Sequence, residues 1–139
     1  MLAGEKRNLE TGIEAMRKLT SGKVHLGVRA GAEGEMAFLK GAEIHTFAGK
    51  HPVGNVGVQI NHLDPVSKGE TVWTIDPQAV IFIGRLFNTG HVDFTRTVAV
   101  TGSEVLKPAY CKLQVGALLT NVFADNVTKD KDLRYISGN

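Results

Sequence analysis

The residues best suited to bind a ligand lie in the stretch GKHPVGNVGVQINHLDPV, from Gly49 to Val66. Three glycines in it, Gly49, Gly54 and Gly57, allow the backbone to turn sharply or to approach a bound group closely. Strand-like residues precede this stretch and a helix-capable segment follows it, which is where α/β proteins usually carry a ligand loop. The sequence therefore predicts either a ligand loop, working or relict, or a purely structural turn.

Phosphate-loop chemistry can be tested directly against this stretch. Gly49 and Gly54 have the G-x-x-x-x-G spacing of a P-loop, but Asn55 and Val56 follow where the motif needs Lys and then Ser or Thr. The cation that neutralises phosphate and the hydroxyl that holds magnesium are therefore both missing. A G-x-G-x-x-G dinucleotide fingerprint is absent as well. The sequence argues against ordinary nucleotide hydrolysis.

The residue spacing gives little evidence for a metal site or for a catalytic nucleophile. The five histidines form no H-x-x-x-H pair and no H-E-x-x-H motif, and His25 and His91 lie far along the chain from the glycine stretch. The single cysteine, Cys111, has no partner for an internal disulfide and sits in a strand-like run, where we expect it half-buried. We therefore predict no catalytic residue, no cofactor-binding residue and no metal site.

Composition narrows the class of protein. The chain has 139 residues, of which 42% are hydrophobic and 22% charged, as in ordinary globular domains. A formal charge of +2, without a run of basic residues, argues against nucleic-acid binding. No apolar stretch approaches the ~20 residues of a membrane span, and the first residues lack the apolar core of a secretory signal. We expect a cytoplasmic protein that could still dock onto a membrane protein.

The elements that must position the glycine stretch alternate between helix and strand. Asp76 is a good N-cap and Pro77 suits the first turn of the clearest helix, which Gly90 ends. Thr71–Ile75 is rich in β-branched and aromatic residues and predicts a strong strand. This alternation predicts a layered α/β domain with a mainly parallel sheet. The other predicted elements are a helix carrying Leu9 to Leu19, strands at 24–28 and 44–47, and short helices within 30–40 and 55–63.

The pattern changes near residue 93. Strands at 95–101 and 109–115 predict a hairpin, followed by a helical turn or two within 117–124 and a last strand at Leu133–Ile136. Strand, strand, helix, strand resembles a β-grasp unit that lacks its final partner. The sequence thus predicts two domains, an α/β domain at 1–93 and an incomplete β-grasp domain at 94–139.

Several separated motifs together resemble one protein family. HPVGNVGVQINHLDPV, TVWTIDPQAVIFIGRLFNTG and RTVAVTGSEVLKPAYCKLQVGALL occur in the order found in the A subunit of the bacterial sodium-translocating NADH:quinone reductase. The resemblance runs from about Glu43 to the end of the chain. It implies a Rossmann-like domain, related to the flavin-binding domain of the NADH-oxidising subunit of respiratory complex I, followed by a β-grasp domain of the soluble-ligand-binding type. The family's subunits are longer, so the chain resembles a central fragment.

The resemblance also implies a role. The family's complex oxidises NADH, reduces quinone and exports sodium, with its flavins and iron–sulfur centre on other subunits. Its A subunit is a peripheral component on the cytoplasmic side of the inner membrane, in contact with membrane subunits and associated with quinone. We therefore expect this fragment to be a docking or quinone-associated scaffold, with a degenerate flavin fold, and to be inactive in isolation.

Two alternatives stay open at this point: a working flavin- or nucleotide-binding domain, and a β-grasp module for an unrelated small molecule. For quinone or another ligand, we expect contacts from polar and amphipathic groups near the glycines. The candidates are His51, Pro52, Gly54, Asn55, Gly57, Asn61, His62 and Trp73.

Overall fold

The computed structural model of the chain describes residues 4–129 and 132–138. The chain divides into two units, one ending at Val92 and one beginning at Asp93. Both units mix helices with a two-stranded sheet, and we call them the N-terminal unit and the C-terminal unit. In chain order the elements are α1 (Lys6–Leu19), β1 (His25–Arg29), α2 (Glu33–Met36), β2 (Glu43–Phe47), α3 (Val56–Leu63), α4 (Pro77–Thr89), β3 (Thr95–Val100), β4 (Ala109–Gln114) and α5 (Thr120–Phe123).

The core of the N-terminal unit forms where α1, α4 and the loop after α2 meet. Ile81 of α4 is fully buried, and the other buried members are Leu9, Ile13, Leu39 and Val80. Leu26 of β1 packs against this cluster. Because side chains alternate across a strand, the neighbours of Leu26 in β1 lie on the opposite face of the sheet. One sheet face therefore packs on the core, and His25 and Gly27 of β1 lie on the other face.

The two strands of this sheet are parallel, as predicted. The register pairs His25 with Glu43 at one end and Arg29 with Phe47 at the other. A parallel pair needs a crossover connection, and here α2 lies in that connection. The predicted strand–helix–strand order is thus confirmed for residues 25–47.

Helices α1 and α4 approach each other closely because both carry a buried glycine at the contact. A Cβ on Gly12 would lie 2.6 Å from the Cγ1 atom of Val80, and one on Gly84 would collide with the carbonyl of Asn8. Polar side chains join the same two helices. Asn88 donates from Nδ2 to Oδ1 of Asn8 at 2.8 Å, and Arg85 forms an ion pair with Glu5.

The predicted caps of α4 are confirmed. The Asp76 carboxylate accepts hydrogen bonds from the backbone N–H groups of Gln78 and Ala79, at 2.9 and 3.1 Å. Pro77 occupies the first turn, where its missing N–H leaves no bond unmade. Gly90 ends the helix in the left-handed conformation, with φ of 75°.

The predicted strand at Thr71–Ile75 is wrong. These residues adopt no helix or strand, and all of them are exposed, Trp73 to 89%. A strand needs a partner, and within the described residues the sheet of the N-terminal unit contains only β1 and β2. High β-propensity describes how well a side chain suits a paired, half-buried surface, so it does not create a strand by itself.

The C-terminal unit contains the predicted hairpin. β3 and β4 pair in antiparallel register from Thr95↔Gln114 to Val100↔Ala109, and Cys111 opposite Val98 is half-buried as expected. The predicted strand at Leu133–Ile136 is wrong, because this segment joins no ladder in the described part of the chain. Instead the ring of Tyr135 packs beside that of Phe123 in α5, with centroids 5.0 Å apart.

The lengths and polarity of the helices also bear on membrane insertion. Among residues 4–129 and 132–138, none of the helices combines the length and the apolar character that crossing a bilayer requires.

Candidate functional site

The glycine stretch folds as consecutive turns that lead into α3. The N–H of Val53 donates to the carbonyl of Lys50 at 3.1 Å, and the N–H of Asn55 donates to that of Pro52 at 2.8 Å. The His51–Pro52 peptide bond is cis. Gly49 has φ of 147°, a conformation that favours glycine. Local backbone bonds thus account for much of the shape of this loop.

The eight residues that the sequence singles out lie on the surface. Every one of them is exposed, and none lines the mainly apolar cleft of the N-terminal unit. That cleft, of about 300 Å³, is bounded by α1, β1 and residues Ile75 to Val80. His62 bonds locally, with Nδ1 2.8 Å from the carbonyl oxygen of Val58. The structure therefore leaves these eight residues exposed and outside that cleft.

A different group of side chains converges on the polar face of the β1–β2 sheet. His25 begins β1, while Glu43 and His45 are alternate residues of β2, so that these two share a face. The register places Glu43 beside His25 and His45 beside Gly27. His25 Nδ1 lies 2.9 Å from His45 Nε2, and Glu43 Oε2 lies 3.6 and 4.0 Å from those two nitrogens. We call these three residues the sheet cluster.

Lys23 orients the carboxylate of the sheet cluster. Its Nζ lies 2.6 Å from Oε1 of Glu43, while Oε2 faces the two imidazoles. The hydrogen bond from Lys23, with the positive charge of that group, lowers the pKa of the Glu43 carboxyl despite some opposing desolvation. The same hydrogen bond raises the pKa of Lys23. Glu43 is therefore an anion near neutral pH, with one oxygen engaged and one directed at the histidines.

The glycine stretch and the sheet cluster are connected through Gln59 of α3. Its Nε2 donates to the carbonyl of Val53 at 3.3 Å, and its side chain covers Gly27, where an added Cβ would lie 3.0 Å from Cδ of Gln59. A Cβ at that position would also come within 3.3 Å of the Phe47 ring. Gly27 thus leaves room beside His45 for α3 to approach the sheet.

Sequence spacing missed the sheet cluster because it depends on strand register. His25 and His45 are 20 residues apart, and short-range metal motifs cannot detect such a pair. One signal was present in the sequence: Glu43 immediately precedes the predicted strand at 44–47, and an extended Glu43-x-His45 places both side chains on one face. Pairing that strand in parallel with the strand that begins near His25 would have completed the group.

Comparison with protein families identifies both units. Residues 1–92 match the family model described as the NqrA second alpha/beta domain, and residues 97–139 match the one described as the NQRA C-terminal domain. The chain therefore belongs to the NqrA family.

Curated relatives support the same assignment, and each of them is the A subunit of a Na(+)-translocating NADH-quinone reductase. The chain is 38% identical over 131 residues to that of Neisseria meningitidis serogroup B, covering 94% of this chain and 29% of that protein. It is 37% identical to the Rhodopirellula baltica protein over 138 residues, 99% of this chain and 30% of that protein. The Hahella chejuensis protein is 39% identical over 133 residues, with 96% and 30% covered. The chain thus spans just under a third of the length of these relatives.

Proposed function

We propose that this chain is a docking module of a sodium-translocating NADH:quinone reductase, contacting other subunits and carrying no redox centre of its own. In this proposal the flavins and the iron–sulfur centre lie on other subunits. The module sits on the cytoplasmic side of the bacterial inner membrane, beside membrane subunits and near the quinone. The complex is inferred from the names of the relatives, and docking is inferred from exposed residues of this chain.

The observation that carries the docking role is the exposed segment Thr71–Ile75. Its sequence is typical of a strand, yet it pairs with no strand among the described residues. Val72, Trp73 and Ile75 are 49%, 89% and 46% exposed. Contiguous large apolar side chains on a surface mark contact sites, and tryptophan is enriched where partners bind most tightly. The segment therefore offers both apolar side chains and unpaired backbone groups to a partner.

The residues of the chain support the lack of a redox centre. A cluster ligated by four thiolates needs four cysteines, and this sequence has one. The loop at 49–57 lacks the lysine of a phosphate loop, and most of its residues are exposed to solvent. We propose that residues 1–93 are a Rossmann-like domain that has lost its flavin site, and that 94–139 form a β-grasp domain. The parallel β1–α2–β2 order and the β3–β4 hairpin agree with these two folds.

Photo-crosslinking in the assembled complex tests the docking role. A photoreactive phenylalanine analogue replaces Trp73 in one variant and Lys18, an exposed residue of α1, in the other. We expect the probe at 73 to crosslink to a neighbouring subunit in higher yield than the probe at 18. Equal, low yields at both positions would refute docking through this segment.

Quinone contact is tested in the same complex. A photoreactive quinone analogue should label one or more of His51, Pro52, Asn55 and Trp73 if the sequence-derived candidates contact the quinone. Labelling confined to other subunits would reject those candidates and leave docking intact.

Titration of the purified chain with FMN and NADH tests the lack of a redox centre. We expect no saturable binding of either compound in the micromolar range and a colourless protein. Micromolar binding that perturbs the NMR signals of Gly49–Gly57 would instead establish a working flavin or nucleotide site.

A further inference from the structure

We propose that the sheet cluster binds one divalent late-transition-metal ion, with His25 Nδ1, His45 Nε2 and Glu43 Oε2 as its ligands. Within the described parts of the chain, this is the one group of three histidine, cysteine or carboxylate side chains whose ligand atoms all lie within 4.8 Å of one another. The proposal is independent of the docking role, because it rests on different residues.

The distances suit a single small ion. Zinc lies about 2.0–2.2 Å from histidine nitrogen and carboxylate oxygen, so tetrahedral ligands are separated by about 3.3 Å. The three separations in the sheet cluster are 2.9, 3.6 and 4.0 Å, which bracket that value. Small side-chain rotations that move each ligand atom by a few tenths of an ångström would bring all three atoms to one ion.

The chemistry of the donors selects the type of metal. Two imidazole nitrogens with one carboxylate oxygen suit zinc, copper, nickel and cobalt, whereas magnesium and calcium prefer oxygen ligands throughout. The His25 and His45 side chains are 36% and 27% exposed, so water can complete the coordination. Three protein ligands and an open position are the arrangement found in many zinc enzymes.

The surroundings hold the ligands in place. Metal-bound carboxylates are usually hydrogen-bonded through their second oxygen, and Lys23 already binds Oε1 of Glu43. The backbone positions of all three ligands are fixed by the β1–β2 ladder. In the absence of metal, two imidazole nitrogens 2.9 Å apart need a proton between them, and the metal ion takes its place. Binding would therefore clamp β1 to β2.

Titration of the untagged full chain with Zn²⁺ alone tests this site. We expect saturable binding of one ion per chain, with a rise in the melting temperature. Co²⁺ in place of Zn²⁺ should give the visible absorption of a four-coordinate site. His45→Gln and His25→Gln should each weaken Zn²⁺ binding at least about 100-fold, because even loss of an outer hydrogen-bond partner costs 10–100-fold.

A matched control is His62→Gln, since His62 is also exposed in the N-terminal unit but lies outside the sheet cluster. This variant should bind Zn²⁺ as the unmodified chain does. Unchanged binding in the His25 and His45 variants, or no saturable binding to the unmodified chain, would overturn the proposal. If a variant fails to fold, the unmodified chain decides the matter: Co²⁺ must broaden the imidazole NMR signals of His25 and His45 before those of His62.

Discussion

Replacing Gly84 by alanine should destabilise the N-terminal unit, although alanine favours helices. The added Cβ would lie 2.6 Å from the carbonyl carbon and 2.9 Å from the α-carbon of Asn8, and closer still to the carbonyl oxygen. Carbon atoms pack at about 3.5–4.0 Å, so α1 and α4 would have to separate by about 1 Å. The obstacle is backbone, which cannot rotate away as a side chain could.

The magnitude follows from two opposing terms. Overpacking costs about 1–3 kcal/mol, and a collision with backbone falls at the upper end of that range. Alanine has a higher helix propensity than glycine, which stabilises the helix by about 1 kcal/mol and offsets part of this cost. We therefore expect a net loss of about 2 kcal/mol in the free energy of unfolding. With a urea slope of about 1–3 kcal/mol per molar for small proteins, the midpoint should fall by about 1 M.

Urea unfolding followed by far-UV circular dichroism measures this change, and Gly57→Ala provides the matched control. Gly57 also lies in a helix, but a Cβ there would meet no atom within 4 Å. Propensity alone then acts, so this variant should gain up to about 1 kcal/mol in stability. A Gly84→Ala variant as stable as the unmodified chain would refute the close helix contact, whatever the control shows.

Three further predictions concern the same unit. Ile81→Ala removes a fully buried side chain and should cost about 2–5 kcal/mol in the free energy of unfolding; a loss below about 1 kcal/mol in urea would contradict its place in the core. Asp76→Ala removes the N-cap of α4 and should cost about 1 kcal/mol, whereas Asp76→Asn should keep most of that stability; equal losses would argue against capping. The pKa of Glu33 should lie below its usual 4.5, because the carboxylate accepts a hydrogen bond from the N–H of Gly31. The stabilisation from this ionised carboxylate is present above the unfolded-state pKa and is lost as the pH falls through the lower folded-state pKa. An NMR titration in which Glu33 has the same pKa in folded and urea-unfolded protein would reject this prediction.

The sequence correctly predicted the elements whose ends are set by residues close by in the chain. Asp76, Pro77 and Gly90 mark the ends of α4 through caps that need no distant partner, and the structure confirms them. Strand-like residue types likewise located β1, β2 and the β3–β4 hairpin. Thr71–Ile75 and Leu133–Ile136 have equally strand-like residues but no partner strand among the described residues, so propensity alone misled the prediction.

The sites were harder to predict because they depend on register and on helix contacts. The sheet cluster arises from pairing residues 20 apart, which no short motif encodes. Among the glycines, those at 49–57 are the ones whose neighbours in the sequence predict turns. Gly12 and Gly84 are the ones that tertiary packing constrains most tightly, and a lone glycine within a helix pattern gives no sign of the neighbour it admits.

The antiparallel contact between α1 and α4 has a topological consequence. Glu5 forms an ion pair with Arg85, and Asn8 is hydrogen-bonded to Asn88, so the start of α1 lies beside the end of α4. A polypeptide can therefore enter and leave this unit at one place, as in domains that tolerate insertion into a host chain. Such a unit can be carried as a side branch of a longer protein, and flanking segments need not stretch across it.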